Sequence, residues 1–149
     1  MKAVASRRQA RRQALDILYQ ADVTGADPHL VLEGWEQAGK PVDPFARELV
    51  EGVAAHRAEI DGHLGRLAEE WTVDRMASLD RSILRIACFE LLHRPDTPTG
   101  AAIDEAVQAA KELSTEDSSR FVNGILGRFV RERTEALDAP PIRPSDPIG

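Results

Sequence analysis

Apolar residues in this chain return every three or four positions almost from end to end, and runs of β-branched residues are nearly absent. That period matches the 3.6 residues of a helical turn and not the two-residue alternation of a half-buried strand. In residues 6–23, Ala10, Ala14, Ile17, Leu18 and Ala21 fall within about 100° of arc on a helix, one narrow stripe. Gly25 closes that helix as a C-terminal cap. Asp27-Pro28 and Asp43-Pro44 each read as a helix start, with Asp as N-cap and Pro as first residue. Gly39 and Pro41 end the helix between them. Phe45, Leu49, Val53, Ile60, Leu64 and Leu67 follow at helical spacing with His56 in the gap, and the run reads as two helices because Gly62 and Gly65 weaken its second half. A break falls around Trp71 to Asp74. Leu79, Ile83, Ile86 and Leu91 make the next stripe, ending near Pro95. Ile103, Ala106, Val107, Ala110 and Leu113 make another after Pro98. Ser114 to Asp117 start the last, which holds Phe121, Val122, Ile125, Leu126 and Phe129. The fold class is all-α, six or seven helices joined by short Pro/Gly loops. From Thr134 the chain packs four of its nine prolines into sixteen residues, the composition of a disordered tail.

The pattern accommodates an ordinary core. A 149-residue chain buries roughly 70% of its unfolded surface without a disulfide or metal. The single Cys88 excludes a disulfide framework and any multi-Cys zinc site. It lies in an apolar stripe with no activating His at helical spacing, which favours a buried thiol over a nucleophile. No apolar run approaches the 18 residues of a transmembrane span, and the charged N-terminus lacks the apolar stretch of a secretory signal. A cytoplasmic location is expected.

Catalytic motifs fail on inspection. Gly34 to Lys40 has P-loop spacing, but Pro41 replaces the magnesium-binding hydroxyl and no strand precedes it. It reads as a helix end with a Gly cap. His56 and His63 lie seven apart with Glu59 between them, which is not the i,i+4 pair of zinc hydrolases, so no metal or other cofactor is expected. No nucleophile elbow occurs.

Charge placement is more informative. The net charge of −6 argues against a polyanionic partner. Residues 1–15, however, carry Lys2, Arg7, Arg8, Arg11 and Arg12 and no acid, a basic arm on an acidic body. The four arginines stand at i, i+1, i+4 and i+5, beside the apolar stripe and not on it. Guanidinium forks pair with phosphate and stack on bases, which suits single-stranded or bulged RNA. Four phosphate contacts give a log–log salt slope of about −3. The alternative is a basic tail that aids solubility. The second oddity is Glu116-Asp117-Ser118-Ser119-Arg120-Phe121-Val122-Asn123-Gly124. There an Asn-Gly pair interrupts a helical stripe, for which a close helix approach at Gly124 is the simplest reason, and a helix start offers free N–H groups to anions.

These stretches resemble the NusB family of bacterial transcription antitermination factors. The resemblance rests on Arg7-Arg8-Gln9-Ala10-Arg11 running into Ala14-Leu15-Asp16-Ile17-Leu18-Tyr19, and on Leu79-Asp80-Arg81-Ser82-Ile83-Leu84-Arg85-Ile86-Ala87-Cys88-Phe89-Glu90-Leu91. It continues in Ile103-Asp104-Glu105-Ala106-Val107 with Ala110-Lys111, and in Phe121-Val122-Asn123-Gly124-Ile125-Leu126. It implies about seven helices in two perpendicular helical subdomains, about 6–56 and about 57–133, within one RNA-binding domain of residues 1–133 followed by the tail 134–149. It implies no enzyme activity. Family members bind boxA-type single-stranded RNA of ribosomal RNA leaders together with the ribosomal protein NusE, and help RNA polymerase, with other Nus factors, read through terminators.

By motif, Arg7, Arg8 and Arg11 match the family's arginine-rich RNA element, whereas Arg12 enters on charge alone. Asp117 and Phe121 match the far edge of the RNA site, with Arg120 beside Asp117. Tyr19 and Glu90 match positions for NusE docking. An acid beside RNA is costly, so Asp117→Asn is expected to tighten binding. The sequence leaves open a homodimer that hides the arginine edge. Two other readings remain: a protein-only helical adaptor, and a relative of the module that begins certain ribosomal RNA cytosine methyltransferases, whose Rossmann-like domain is not expected where the tail stands.

Overall fold

A computed structural model describes residues 6–68 and 72–138. Seven α-helices run in order: α1 (Arg7–Thr24), α2 (Pro28–Gln37), α3 (Pro44–Ala55), α4 (Arg57–Leu67), α5 (Ser78–His93), α6 (Thr99–Leu113) and α7 (Glu116–Asp138). One turn of 3-10 helix, Val73–Arg75, precedes α5, and there is no strand among the described residues. Lys2 of the basic arm, Trp71 of the expected break and residues 139–149 of the expected tail lie outside the described residues. Helix α7 continues to Asp138, into the stretch whose prolines suggest a tail.

Local chemistry sets the boundaries. Asp27 and Asp43 cap α2 and α3 through their carboxylates, each with Pro at the helix start. Gly25 takes a left-handed φ of 72° at the end of α1. Gly39 has φ 77° just past α2, where the Gly39 amide bonds to the Glu36 carbonyl and the Lys40 amide to the Trp35 carbonyl. Those two bonds form a Schellman cap, so the P-loop spacing is a helix end. The run divides into two helices at His56, and Gly62 and Gly65 both lie inside the second, α4. Gly124 lies within α7, and a Cβ there would meet nothing within 4 Å, so no close helix approach explains it. The close approach is at Gly52 on α3, against the Phe89 ring of α5.

Helix α5 is the mast of the fold. Residues 82–90 are buried without interruption, and the helix packs against α1, α3, α4, α6 and α7. Its buried cations are matched by acids from other helices. Arg81 donates to Asp22 of α1 at 2.5 Å and to the Val73 carbonyl at 2.9 Å. Arg85 donates twice to Asp61 of α4, both at 2.8 Å. Burial opposes ionisation of Asp22. Hydrogen bonds from Arg81 and Ser78 and the charges of Arg81 and Arg85 outweigh it and hold the carboxyl below its ordinary range.

At the opposite end of α1, Arg11 pairs with Glu90 near the end of α5. The two helices are therefore antiparallel and pinned together at both ends. That fixes the rotation of α1 about its axis. Ala10, Ala14, Leu15, Ile17, Leu18 and Ala21 face the core, and Arg7 and Arg8 are left exposed.

Candidate nucleic-acid interface

The arginine edge begins with a capping box. The Ser6 hydroxyl accepts from the Gln9 amide at 3.1 Å, and the Ser6 amide donates back to Gln9 Oε1 at 3.0 Å. All four arginines thus lie in the first two turns of a well-capped helix. None of them is idle. Arg7 stacks its guanidinium 3.8 Å above the Phe45 ring. Arg8 and Arg12 both reach α6, donating to the two oxygens of Glu112 at 2.8 and 2.9 Å. Arg8 also lies 3.7 Å from Glu105.

Arg11 differs from the others. Its guanidinium makes three hydrogen bonds of 2.8 to 3.1 Å to Glu90, whose side chain is 1% exposed. The Thr97 hydroxyl adds a longer one at 3.4 Å. Arg11 is a structural cation in this fold, not a surface fork.

An open groove of about 440 Å³ runs beside Arg8 and Arg12, lined also by Asp16, Trp35 and Glu112 among others. Trp35 comes from α2, with its indole N–H on Gln20 and Lys40 5.0 Å from the ring centroid. Guanidiniums beside an indole face form a surface on which a nucleobase can stack while its phosphate is neutralised. Neither Trp35 nor Glu112 is singled out by local pattern. Trp35 sits in the discarded P-loop stretch, and Glu112 stands about a hundred positions from the arginines it binds.

Glu112 is ionised more readily than an ordinary glutamate. Hydrogen bonds from Gln108 and then Arg12 favour its charged form, and the charges of Arg12 and Arg8 add to this. Its two carboxylate oxygens bridge Arg8 and Arg12.

The start of α7 makes a second, separate concavity of about 250 Å³, lined by Arg75, Met76, Ala77, Asp80, Asp117, Ser118 and Phe121. The Thr115 hydroxyl accepts from the Ser118 amide there. Asp117 is highly exposed and pairs with Arg120 at 2.5 Å, so the acid orients that arginine. Asp80 of α5 is 7% exposed. Its Oδ2 accepts from Ser118 at 3.1 Å, while Oδ1 has no partner. Burial raises its pKa, and the Ser118 bond only partly offsets this. The two concavities share no lining residue. Glu112, near the end of α6, lines the first, and its neighbour Lys111 lies 3.9 Å from Glu116 at the start of α7.

Of the expected docking residues, Tyr19 is 42% exposed, with Val23 exposed one turn further along α1. Glu90 is buried beneath Arg11 and offers no surface of its own. Cys88 is fully buried and its thiol is pushed up to about 12, as expected of a structural residue.

Comparison with known proteins follows the same residues. Residues 8–131 match the model of the NusB family. A transcription antitermination protein NusB of Heliobacterium modesticaldum is 49% identical over 134 residues, which cover 88% of this chain and 65% of that protein. The solved T. maritima NusB superposes with a TM-score of 0.78 at 34% identity, covering 87% of this chain and 94% of the other. A crystal structure of the antitermination factors NusB and NusE in complex with double-stranded RNA contains a chain that matches at TM-score 0.72 and 27% identity. That match covers 85% of this chain and 96% of the other.

Proposed function

The chain belongs to the NusB family, and from that premise we propose that it is a non-enzymatic transcription antitermination factor that binds RNA through Arg7, Arg8 and Arg12. The observation that carries the site is the groove in which Arg8 and Arg12 stand beside Trp35, with the Glu112 carboxylate bridging the two guanidiniums. Arg11 acts indirectly, by locking α1 to α5. The Asp117, Arg120 and Phe121 surface is the far edge of the same site, reached across the end of α6.

NusE is the expected protein partner, since a homologous NusB forms its RNA complex with NusE. Its docking face includes Tyr19 and Val23, and Glu90 contributes from beneath by setting the helix that presents them. A ribosomal protein is usually basic, and the acidic body away from α1 complements it. RNA polymerase and further Nus factors are the larger assembly, in the cytoplasm, and boxA RNA is the ligand.

A gel-shift with single-stranded boxA RNA, a scrambled RNA of equal length and a boxA duplex, each with and without NusE, tests the reading. Specific retention of boxA, weakened in Arg8→Ala and Arg12→Ala, is the expected result. Equal shifts for boxA and scrambled RNA under all conditions would replace it with the protein-only adaptor. Sedimentation of the free chain reports whether a homodimer covers the arginine edge.

A further inference from the structure

Away from the arginine edge, two imidazoles and a carboxylate converge where α3, α4 and α5 meet. His56 is the single residue between α3 and α4, Glu59 lies in the first turn of α4, and His93 is the last residue of α5. His93 Nε2 is 2.6 Å from Glu59 Oε1, and His56 Nδ1 is 4.0 Å from the same oxygen. The two rings stack with centroids 3.9 Å apart and 24° between planes. One donor atom from each residue lies within 4.8 Å of the others.

An aromatic ring forms the floor beneath them. Phe89 lies 6.0 Å from the His56 ring and 5.6 Å from the His93 ring, and Gly52 packs against it as well. The neighbouring guanidiniums are engaged elsewhere, Arg57 with Asp61 and Arg94 with Glu48 and Asp96. His63, one turn beyond Glu59, is held by Arg66 and packs edge-on against Phe129.

We propose that His56, Glu59 and His93 form a binding site for one divalent first-row transition ion of the zinc type. Tetrahedral zinc, with bonds of about 2.0–2.1 Å, holds its donors about 3.3 Å apart. The two printed separations, 2.6 and 4.0 Å, lie on either side of that value, so binding an ion requires the side chains to adjust. Two imidazoles and one carboxylate favour zinc, nickel or copper over magnesium and calcium, which take oxygen ligands. Three protein ligands on a half-exposed surface leave a fourth position to water or to a donor from a partner. Local spacing argues against a metal because it considers only His56 and His63. The third ligand, His93, is supplied by the fold from 37 positions away, on α5.

The site links α4 to the end of α5, three residues from the Glu90 that holds Arg11, so an ion there stabilises the fold by mass action. The buried Cys88 thiol, pushed up to about 12, is no competing ligand.

The test uses the untagged chain, stripped with chelator and titrated with cobalt(II). The expected result is one equivalent per chain with the visible absorption of tetrahedral cobalt, displaced by zinc, and a higher Tm with zinc but not with magnesium. His93→Gln and Glu59→Gln, both at the surface, each weaken uptake at least about tenfold, the scale of losing part of a metal site. His29→Gln, at an exposed position on α2, leaves it unchanged. Absence of saturable one-to-one uptake, or equal uptake by the parent and His93→Gln, would overturn the proposal and leave a stacked histidine pair with His93 hydrogen-bonded to Glu59.

Discussion

Replacing Arg11 with alanine leaves the Glu90 carboxylate buried without its cation. That side chain is 1% exposed, and the three guanidinium bonds lost are its closest contacts. Removing one member of a buried pair costs about 3–5 kcal/mol, because the remaining charge cannot return to water. Arg11 is itself 13% exposed, which places the expected loss near the lower end, about 3 kcal/mol. For a chain of this size each kcal/mol moves Tm by about 2–4 °C, so a fall of about 6–12 °C is expected. Urea unfolding followed by circular dichroism measures it. Arg11→Met combined with Glu90→Met should recover most of the loss, since an apolar pair of similar volume removes the orphaned charge. In the same experiment Arg8→Ala, whose own side chain is half exposed and whose partners Glu112 and Glu105 both reach solvent, should stay within about 0.5 kcal/mol of the parent. If Arg11→Ala matched the parent in stability while RNA binding collapsed, Arg11 would be an RNA fork after all and the clamp would be wrong. The practical corollary is that an RNA-binding loss in Arg11→Ala reports folding as much as recognition.

Glu112→Gln should tighten RNA binding severalfold in a filter assay without altering Tm, because it frees Arg8 and Arg12 from an exposed competitor. An unchanged affinity would remove that groove from the interface. With Arg11 engaged by Glu90, three forks remain, so the log–log salt slope for single-stranded RNA should be about −2. Trp35→Ala should cost about 1–3 kcal/mol of RNA binding if one base stacks there, read by titration of single-stranded RNA; no loss would exclude stacking. Asp80 has a raised folded pKa. Its protonation leaves stability unaffected below its unfolded value near 3.8, and stability then declines as pH rises through the folded value. Asp80→Asn should abolish that decline in urea midpoints measured from acid to neutral pH, and a decline equal to the parent's would refute the assignment. Gly52→Ala drives a methyl into the Phe89 ring and should cost about 1–3 kcal/mol in the same unfolding assay, whereas a neutral result would mean Phe89 moves freely.

The helices were legible where a local signal defines them. Asp-Pro starts, the Gly25 and Gly39 ends and the apolar stripes each act within a few residues, and the structure keeps them. What resisted reading is long-range. Nothing near Arg11 announces a partner 79 positions away at Glu90, so four arginines at helical spacing look equivalent although one is buried and structural. The same limit explains the glycines. Gly124 stands out in sequence because it interrupts a stripe, yet it faces open space. Gly52 passes unnoticed although an aromatic ring from another helix presses on it. The position of the arginine edge was readable; the acids that occupy it in the free chain were not.

Helix α5 packs against five other helices and carries buried arginines that need acids from both α1 and α4. It cannot be desolvated favourably until both flanks have arrived. The halves of the chain should therefore melt in a single transition. Native-state hydrogen exchange should show the α5 amides opening only with the whole molecule, while the α2 amides exchange through smaller excursions. A factor built this way presents its surfaces on one cooperative unit, so a partner that grips one helix tightens the ensemble that the other partner meets.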